Sequence, residues 1–110
     1  MVDKVHHWDG VKDEVCRVVD DSVEPFAPST IRIAFDVLLA LRDRFPVPEV
    51  SRGYWPTIRF CWPEWEIEIH RDTVEIYRFS DKHAAIQEFD HTPGAPLSNE
   101  LSEALESPSR

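Results

Sequence analysis

Residues 57–89 read TIRFCWPEWEIEIHRDTVEIYRFSDKHAAIQEF, and the alternation of apolar and polar side chains in this stretch decides the fold. Four segments, 57–62, 65–70, 73–79 and 84–89, are rich in β-branched and aromatic residues at a period of two. That pattern marks strands with one buried face. Pro63-Glu64 and Arg71-Asp72 have the length of tight hairpin loops, without the Asn-Gly or Asp-Gly pair that would name the turn type. Two-residue loops pair Trp62 with Trp65, Phe60 with Ile67 and Ile58 with Ile69. The second hairpin then pairs Ile69 with Val74 and Ile67 with Ile76. Every large apolar side chain lands on one face, and a slip of one residue would scatter the set. The stretch therefore predicts a four-stranded antiparallel meander.

The same register determines the opposite face. Arg59, Glu68 and Glu75 form one row, with Cys61, Glu66 and Tyr77 in the next. Pairing Phe79 with Ala84 across the third connection adds Glu88 to the first row and Ile86 to the second. Like charges directly opposite one another on adjacent strands are destabilising, by roughly 0.2–1 kcal/mol. Glu68 facing Glu75 is thus a cost that folding alone does not explain. In its plainest account this face is the solvated side of the sheet, with Arg59 and Arg78 softening the repulsion. In its functional account Glu66, Glu68, Glu75 and Glu88 meet basic side chains of a partner, and Tyr77 and Phe79 supply contact anchors.

Helical spacing brackets the meander. Trp8, Val11, Val15, Val18 and Val19 make one stripe, behind Asp9 as an N-cap. Pro25 and Pro28 end that helix. Ser29 then caps a second one running to about Phe45, with Ile31, Ala34, Phe35, Leu38, Leu41 and Phe45 on one face. Residues 47–56, bounded by prolines, read as an irregular loop carrying Arg52, Gly53, Tyr54 and Trp55. Arg, Tyr and Trp are the types enriched at binding hot spots, so Arg52, Tyr54 and Trp55 join the candidate partner-binding residues. Leu97, Leu101, Ala104 and Leu105 follow helical spacing behind Ser98, predicting a short third helix. The expected architecture is one α+β domain over residues 1–106, with two N-terminal helices packed on one face of the meander, and a disordered tail over 107–110.

The chain has 110 residues, with 12 basic against 21 acidic ones and a formal net charge of −9. Such a charge repels phosphate backbones and anionic lipids and favours basic partners, which argues against nucleic acid and membrane. No apolar run reaches the roughly 18 residues that would span a bilayer, and residues 1–10 lack an apolar signal core, which predicts a cytoplasmic protein. Cys16 and Cys61 are too far apart for a Cys-x-x-Cys motif and read as reduced thiols. Beside Glu66, Cys61 is a poor nucleophile.

Chemistry-bearing motifs are missing. Glycines 10, 53 and 94 are isolated, no Gly-x-Ser-x-Gly elbow is present, and His6, His7, His70, His83 and His91 match no zinc signature. Catalytic residues, metal ligands and cofactors are accordingly assigned to none. The expectation is a small acidic, non-enzymatic protein that masks a basic surface of a protein partner, as an antitoxin, immunity protein or phage-encoded inhibitor does. The contrasting expectations are an assembly module that homodimerises through its aromatic loop or an edge strand, and a small hydrolase using Glu66 and Glu68 as paired carboxylates.

Overall fold

A computed structural model describes residues 8–42, 44–79 and 84–106 of the chain, with Ala84 described by its backbone alone. His6, His7, His83 and the expected tail over 107–110 lie outside the described residues. Helices α1 (Trp8–Asp21) and α2 (Pro28–Leu41) are followed by strands β1 (Glu49–Arg52), β2 (Ile58–Cys61), β3 (Trp65–Ile69), β4 (Thr73–Phe79) and β5 (Ala84–Asp90), and then by α3 (Asn99–Glu106). The strands form one antiparallel sheet in sequence order. The fold is α+β, as the residues imply, but the sheet has five strands where four were expected.

The additional strand comes from the segment expected to be a loop. Residues 49 to 52 pair with β2, Val50 opposite Phe60 and Arg52 opposite Ile58. Pro48 and Pro56 flank this strand without interrupting it, and a four-residue edge strand tolerates prolines just outside its ladder. The three expected hairpin registers are all present: Phe60 opposite Ile67, Ile67 opposite Ile76, and Phe79 opposite Ala84.

One face of the sheet carries Ile58, Phe60, Ile67, Ile69, Val74 and Ile76, all fully buried, against Val11 and Val15 of α1, Ile33, Val37 and Leu41 of α2, and Leu101 of α3. Burying each such side chain is worth roughly 1.5–3 kcal/mol, so this layer dominates stability. Trp62 and Trp65 close one end of it, their rings stacked with centroids 4.0 Å apart. The Trp62 indole N–H donates to Pro46 O at 2.7 Å, which satisfies the one polar atom of a buried ring.

Helix boundaries differ from expectation in ways the packing explains. Helix α2 begins at Pro28, whose missing N–H is harmless in a first turn, and Ala27 precedes it without a side-chain cap. Ser29 is therefore inside the helix and not its cap. The helix stops at Leu41, short of Phe45, with the Arg42 N–H bonded to Leu38 O at 2.9 Å. The chain turns there so that Phe45 meets Trp65 edge-on at 5.8 Å and its carbonyl accepts the Trp8 indole N–H at 2.9 Å. Asp9 lies in the first turn of α1 and pairs with Arg42. Ser98 does cap α3, its hydroxyl accepting the Leu101 N–H at 3.1 Å. Among the described residues, no helix is long and apolar enough to cross a membrane.

Candidate functional site

With the helices on one face, strand alternation places the remaining side chains on the other. Glu49 and Ser51 come from β1, Arg59 and Cys61 from β2, Glu66 and Glu68 from β3, Glu75, Tyr77 and Phe79 from β4, and Ile86, Glu88 and Asp90 from β5. Glu49, Glu66, Glu68, Glu75, Glu88 and Asp90 thus share this face with a single arginine, Arg59, among the described residues. Arg78, expected to soften the repulsion here, sits on the helix face, where it donates to Ala104 O at 3.0 Å and bonds Gln87.

The opposed pair Glu68 and Glu75 is held apart by separate sets of donors. Glu68 is only 7% exposed. The Thr57 hydroxyl donates to its Oε2 at 2.6 Å, and Arg59 Nε lies 3.8 Å from its Oε1. Thr57 is brought close because the Gly53 N–H donates to Thr57 O at 3.0 Å. Gly53 has no side chain to obstruct this, and a Cβ there would stand 2.0 Å from Thr57 Oγ1 and 2.5 Å from Glu68 Oε2. On the neighbouring strand, Glu75 Oε1 accepts two hydrogen bonds, from His70 Nε2–H at 2.5 Å and from the Tyr77 hydroxyl at 3.0 Å. Arg59 Nε is also 3.2 Å from Glu66 Oε2, an ion pair whose geometry is not aligned for a hydrogen bond. The repulsion anticipated between Glu68 and Glu75 is met by Thr57, Arg59, His70 and Tyr77.

These carboxylates act on their neighbours. Partial burial, the hydrogen bond to Glu75, and the charges of Glu75, Glu68 and Glu66 push the Tyr77 phenol up to about 12. Burial raises the Cys61 thiol, Glu66 adds to the effect, and Ser51 and Arg59 oppose it in part. Cys61 therefore stays protonated and unreactive at neutral pH. Donor atoms of Glu68, His70 and Glu75 all lie within 4.8 Å of one another. One imidazole and two carboxylates suit a divalent cation of the zinc or manganese type. Here, however, His70 and Glu75 bond each other, and they would have to part to bind one.

The expected aromatic loop is real and is separate from Arg52. Tyr54 and Trp55 are 82% and 63% exposed, packed edge to face with centroids 5.0 Å apart. The Thr57 N–H donates to Trp55 O at 2.6 Å and holds the turn. Arg52 belongs to β1 and points to the helix face. There it donates to Glu24 at 2.8 Å and Ser22 at 3.0 Å, pinning the α1–α2 linker. Behind Trp55, a cleft of about 630 Å³ opens between residues 25–27, 55–57 and 70–73. Ile86 and Phe79, 58% and 45% exposed, edge the acidic face on its far side.

Glu66, Glu68, Glu75, Tyr77 and Glu88 are thus brought to one face, Tyr54 and Trp55 stand in a turn at the end of β1, and Arg52 is turned away. Of the carboxylates, Glu68 is enclosed, Glu66 and Glu75 are half-buried, and Glu88 is exposed. Thr57, Gly53 and His70 border the Glu68–Glu75 pair, and no sequence motif marks them. The hairpin register already carried a signal for His70, since extending the β3–β4 pairing by one step sets it diagonally beside Glu75. No protein-family model, curated protein or solved structure matches the chain.

Proposed function

We propose that the chain is a small acidic, non-enzymatic binding protein whose polar sheet face docks on a basic surface of a protein partner, in the manner of an antitoxin, immunity protein or phage-encoded inhibitor. The observation that carries this is the set of six carboxylates that, among the described residues, share with one arginine a side of the sheet that no described helix covers. A sheet needs only one buried face, and the other need not concentrate one sign of charge. Such a concentration steers a cationic partner toward the face and disfavours neutral or acidic ones.

The availability of each group sets its role. Glu68, enclosed and bonded to Thr57, fixes the row without contacting the partner. Glu66, Glu75 and Glu88 supply charge, and Tyr77, Ile86 and Phe79 supply apolar contact around it. The exposed Tyr54 and Trp55 are rigid aromatic anchors of the type that dominates interface energetics.

The test compares wild type with Glu66→Gln/Glu75→Gln/Glu88→Gln as baits in extract of the source cell, followed by direct binding of any captured protein after purification. A partner with a basic surface, bound directly, salt-sensitive and lost with the triple variant, is the expected result. A direct partner held equally by both forms overturns the proposal.

A further inference from the structure

Strand β5 ends the sheet, and the described hydrogen bonds determine which of its backbone groups face outward. The His91 N–H donates to Asp72 O at 2.9 Å, so His91 and Asp72 form a hydrogen-bonded pair of the β4–β5 ladder. Such pairs alternate along an antiparallel ladder. Phe89, Gln87 and Ala85 therefore turn their N–H and C=O groups toward β4, and Asp90, Glu88 and Ile86 turn theirs away from it. The other side of β4 agrees, because the His70 N–H donates to Thr73 O at 2.9 Å and the Phe79 N–H to Glu64 O at 3.0 Å, which directs the odd-numbered residues of β4 to β3.

Ile86, Glu88 and Asp90 are also the β5 residues whose side chains lie on the acidic face. One short segment thus offers outward main-chain donors and acceptors together with an apolar and two acidic side chains in the same phase. The opposite edge, β1, is four residues long, sits between two prolines and has α1 packed beside it, whereas β5 has seven residues and no proline. A long open edge is a template for strand addition.

We infer that β5 takes up an extended basic segment of the partner as a sixth, antiparallel strand, with Lys or Arg opposite Asp90 and Glu88 and an apolar residue opposite Ile86. This rests on the docking function proposed above and names the form of its partner. Charge selects the occupant. Glu88 and Asp90, next to Glu75, disfavour a neutral or acidic strand, and two copies of a chain carrying −9 repel one another. In the incoming strand, residues opposite Asp90, Glu88 and Ile86 alternate with residues whose side chains fall on the helix face, giving the pattern basic-x-basic-x-apolar.

The probe is a fluorescein-labelled peptide Thr-Lys-Thr-Lys-Thr-Val-Thr, titrated with the full chain by anisotropy. Two analogues are N-methylated, one at the second lysine, whose N–H would bond Glu88 O, and one at the threonine after it, whose N–H points away. Methylation at the lysine should weaken binding by about tenfold or more, the loss of roughly one hydrogen-bonded step, while methylation at the threonine changes little. Glu88→Gln/Asp90→Asn should weaken the parent peptide similarly, and the Ile86, Glu88 and Asp90 amides should gain protection from hydrogen exchange on binding. Equal weakening by both methylations, or none by either, overturns strand addition. If Glu66→Gln/Glu75→Gln still weakens the peptide in that case, face docking survives without it. A dimer of the chain paired through β5 that the peptide does not displace also overturns the inference.

Discussion

The Thr57 hydroxyl and the Glu68 carboxylate meet at 2.6 Å, the threonine 3% and the glutamate 7% exposed. A carboxylate so enclosed depends on each donor it has, because the water it lost is not otherwise replaced. Thr57→Val keeps the shape and removes the donor, leaving Arg59 at 3.8 Å as the remaining described partner of that carboxylate. The variant should lose about 1–3 kcal/mol of unfolding free energy, read from urea midpoints at constant slope. Thr57→Ser should recover most of it. A valine variant as stable as wild type would remove Thr57 from the account.

Gly53 is required by crowding, since its backbone is not in the left-handed region. A Cβ would fall 2.0 Å from Thr57 Oγ1 and 2.5 Å from Glu68 Oε2, both far inside contact distance. Gly53→Ala should therefore destabilise the fold by about 1–3 kcal/mol, as overpacking does. Combining it with Thr57→Ala clears the closer clash, so the double variant should lose less than the sum of the single ones. Strict additivity in denaturant melts would show that the strain lies elsewhere.

The register that aligns Glu68 with Glu75 was legible because Phe60, Ile67 and Ile76 alternate strictly with polar residues and leave no acceptable slip. Strand β1 was not legible. Glu49, Val50, Ser51 and Arg52 show no sustained alternation, and their pairing with β2 is a tertiary fact imposed across the Tyr54–Trp55 turn. The enclosure of Glu68 was hidden for a related reason, since it requires Gly53 and Thr57 to close over it from outside the predicted hairpins. Phe45 continued the apolar stripe of α2, and only the position of Trp65 shows why the helix stops before reaching it. Charge and residue type marked Arg52 as a contact residue, but its direction depends on a strand phase that could not be read.

Asp36 ties α2 to the connection between β5 and α3. His91 Nε2 lies 3.0 Å and the Gly94 N–H 2.7 Å from its Oδ2, with Arg32 Nε 3.4 Å from its Oδ1. Burial acts to raise its pKa, but the His91 and Gly94 hydrogen bonds and the charges of His91 and Arg32 outweigh it, holding the carboxyl below its ordinary 3.8. A depressed folded pKa contributes stability above the unfolded value, and that stability disappears as pH falls through the folded one. The melting-temperature gap between wild type and Asp36→Asn should accordingly narrow as pH falls below about 4. A gap that widens below about pH 4 contradicts the assignment.

Cys16 is exposed on α1, whereas Cys61 is half-buried on the acidic face with its thiol pushed up by burial and by Glu66. Alkylation proceeds through the thiolate, so iodoacetamide at pH 8 should modify Cys16 well before Cys61, as peptide mass mapping would resolve. Glu66→Gln removes one cause of the shift and should speed modification of Cys61 without altering Cys16. Faster labelling of Cys61 than of Cys16 in the native protein would contradict this picture of the face.

Tyr77 reports the same field from the next strand. Its hydroxyl donates to Glu75 Oε1 at 3.0 Å, and ionisation would place a phenolate beside that carboxylate in a partly desolvated position. In Tyr54→Phe, Tyr77 is the one remaining tyrosine of two, so absorbance near 295 nm follows it alone. Its titration should centre at about 12 instead of 10.0. Glu75→Gln in that background removes the nearest charge and should bring the midpoint part of the way toward 10.0, with burial and the charges of Glu68 and Glu66 holding it above that value. The raised value also sets a sign for stability. Between pH 10 and 12 the unfolded chain has released the phenolic proton and the folded one has not, so stability must fall as pH rises through that window. An ordinary midpoint in native protein, unmoved by Glu75→Gln, would show that Tyr77 does not sense the carboxylates on which the proposed docking face depends.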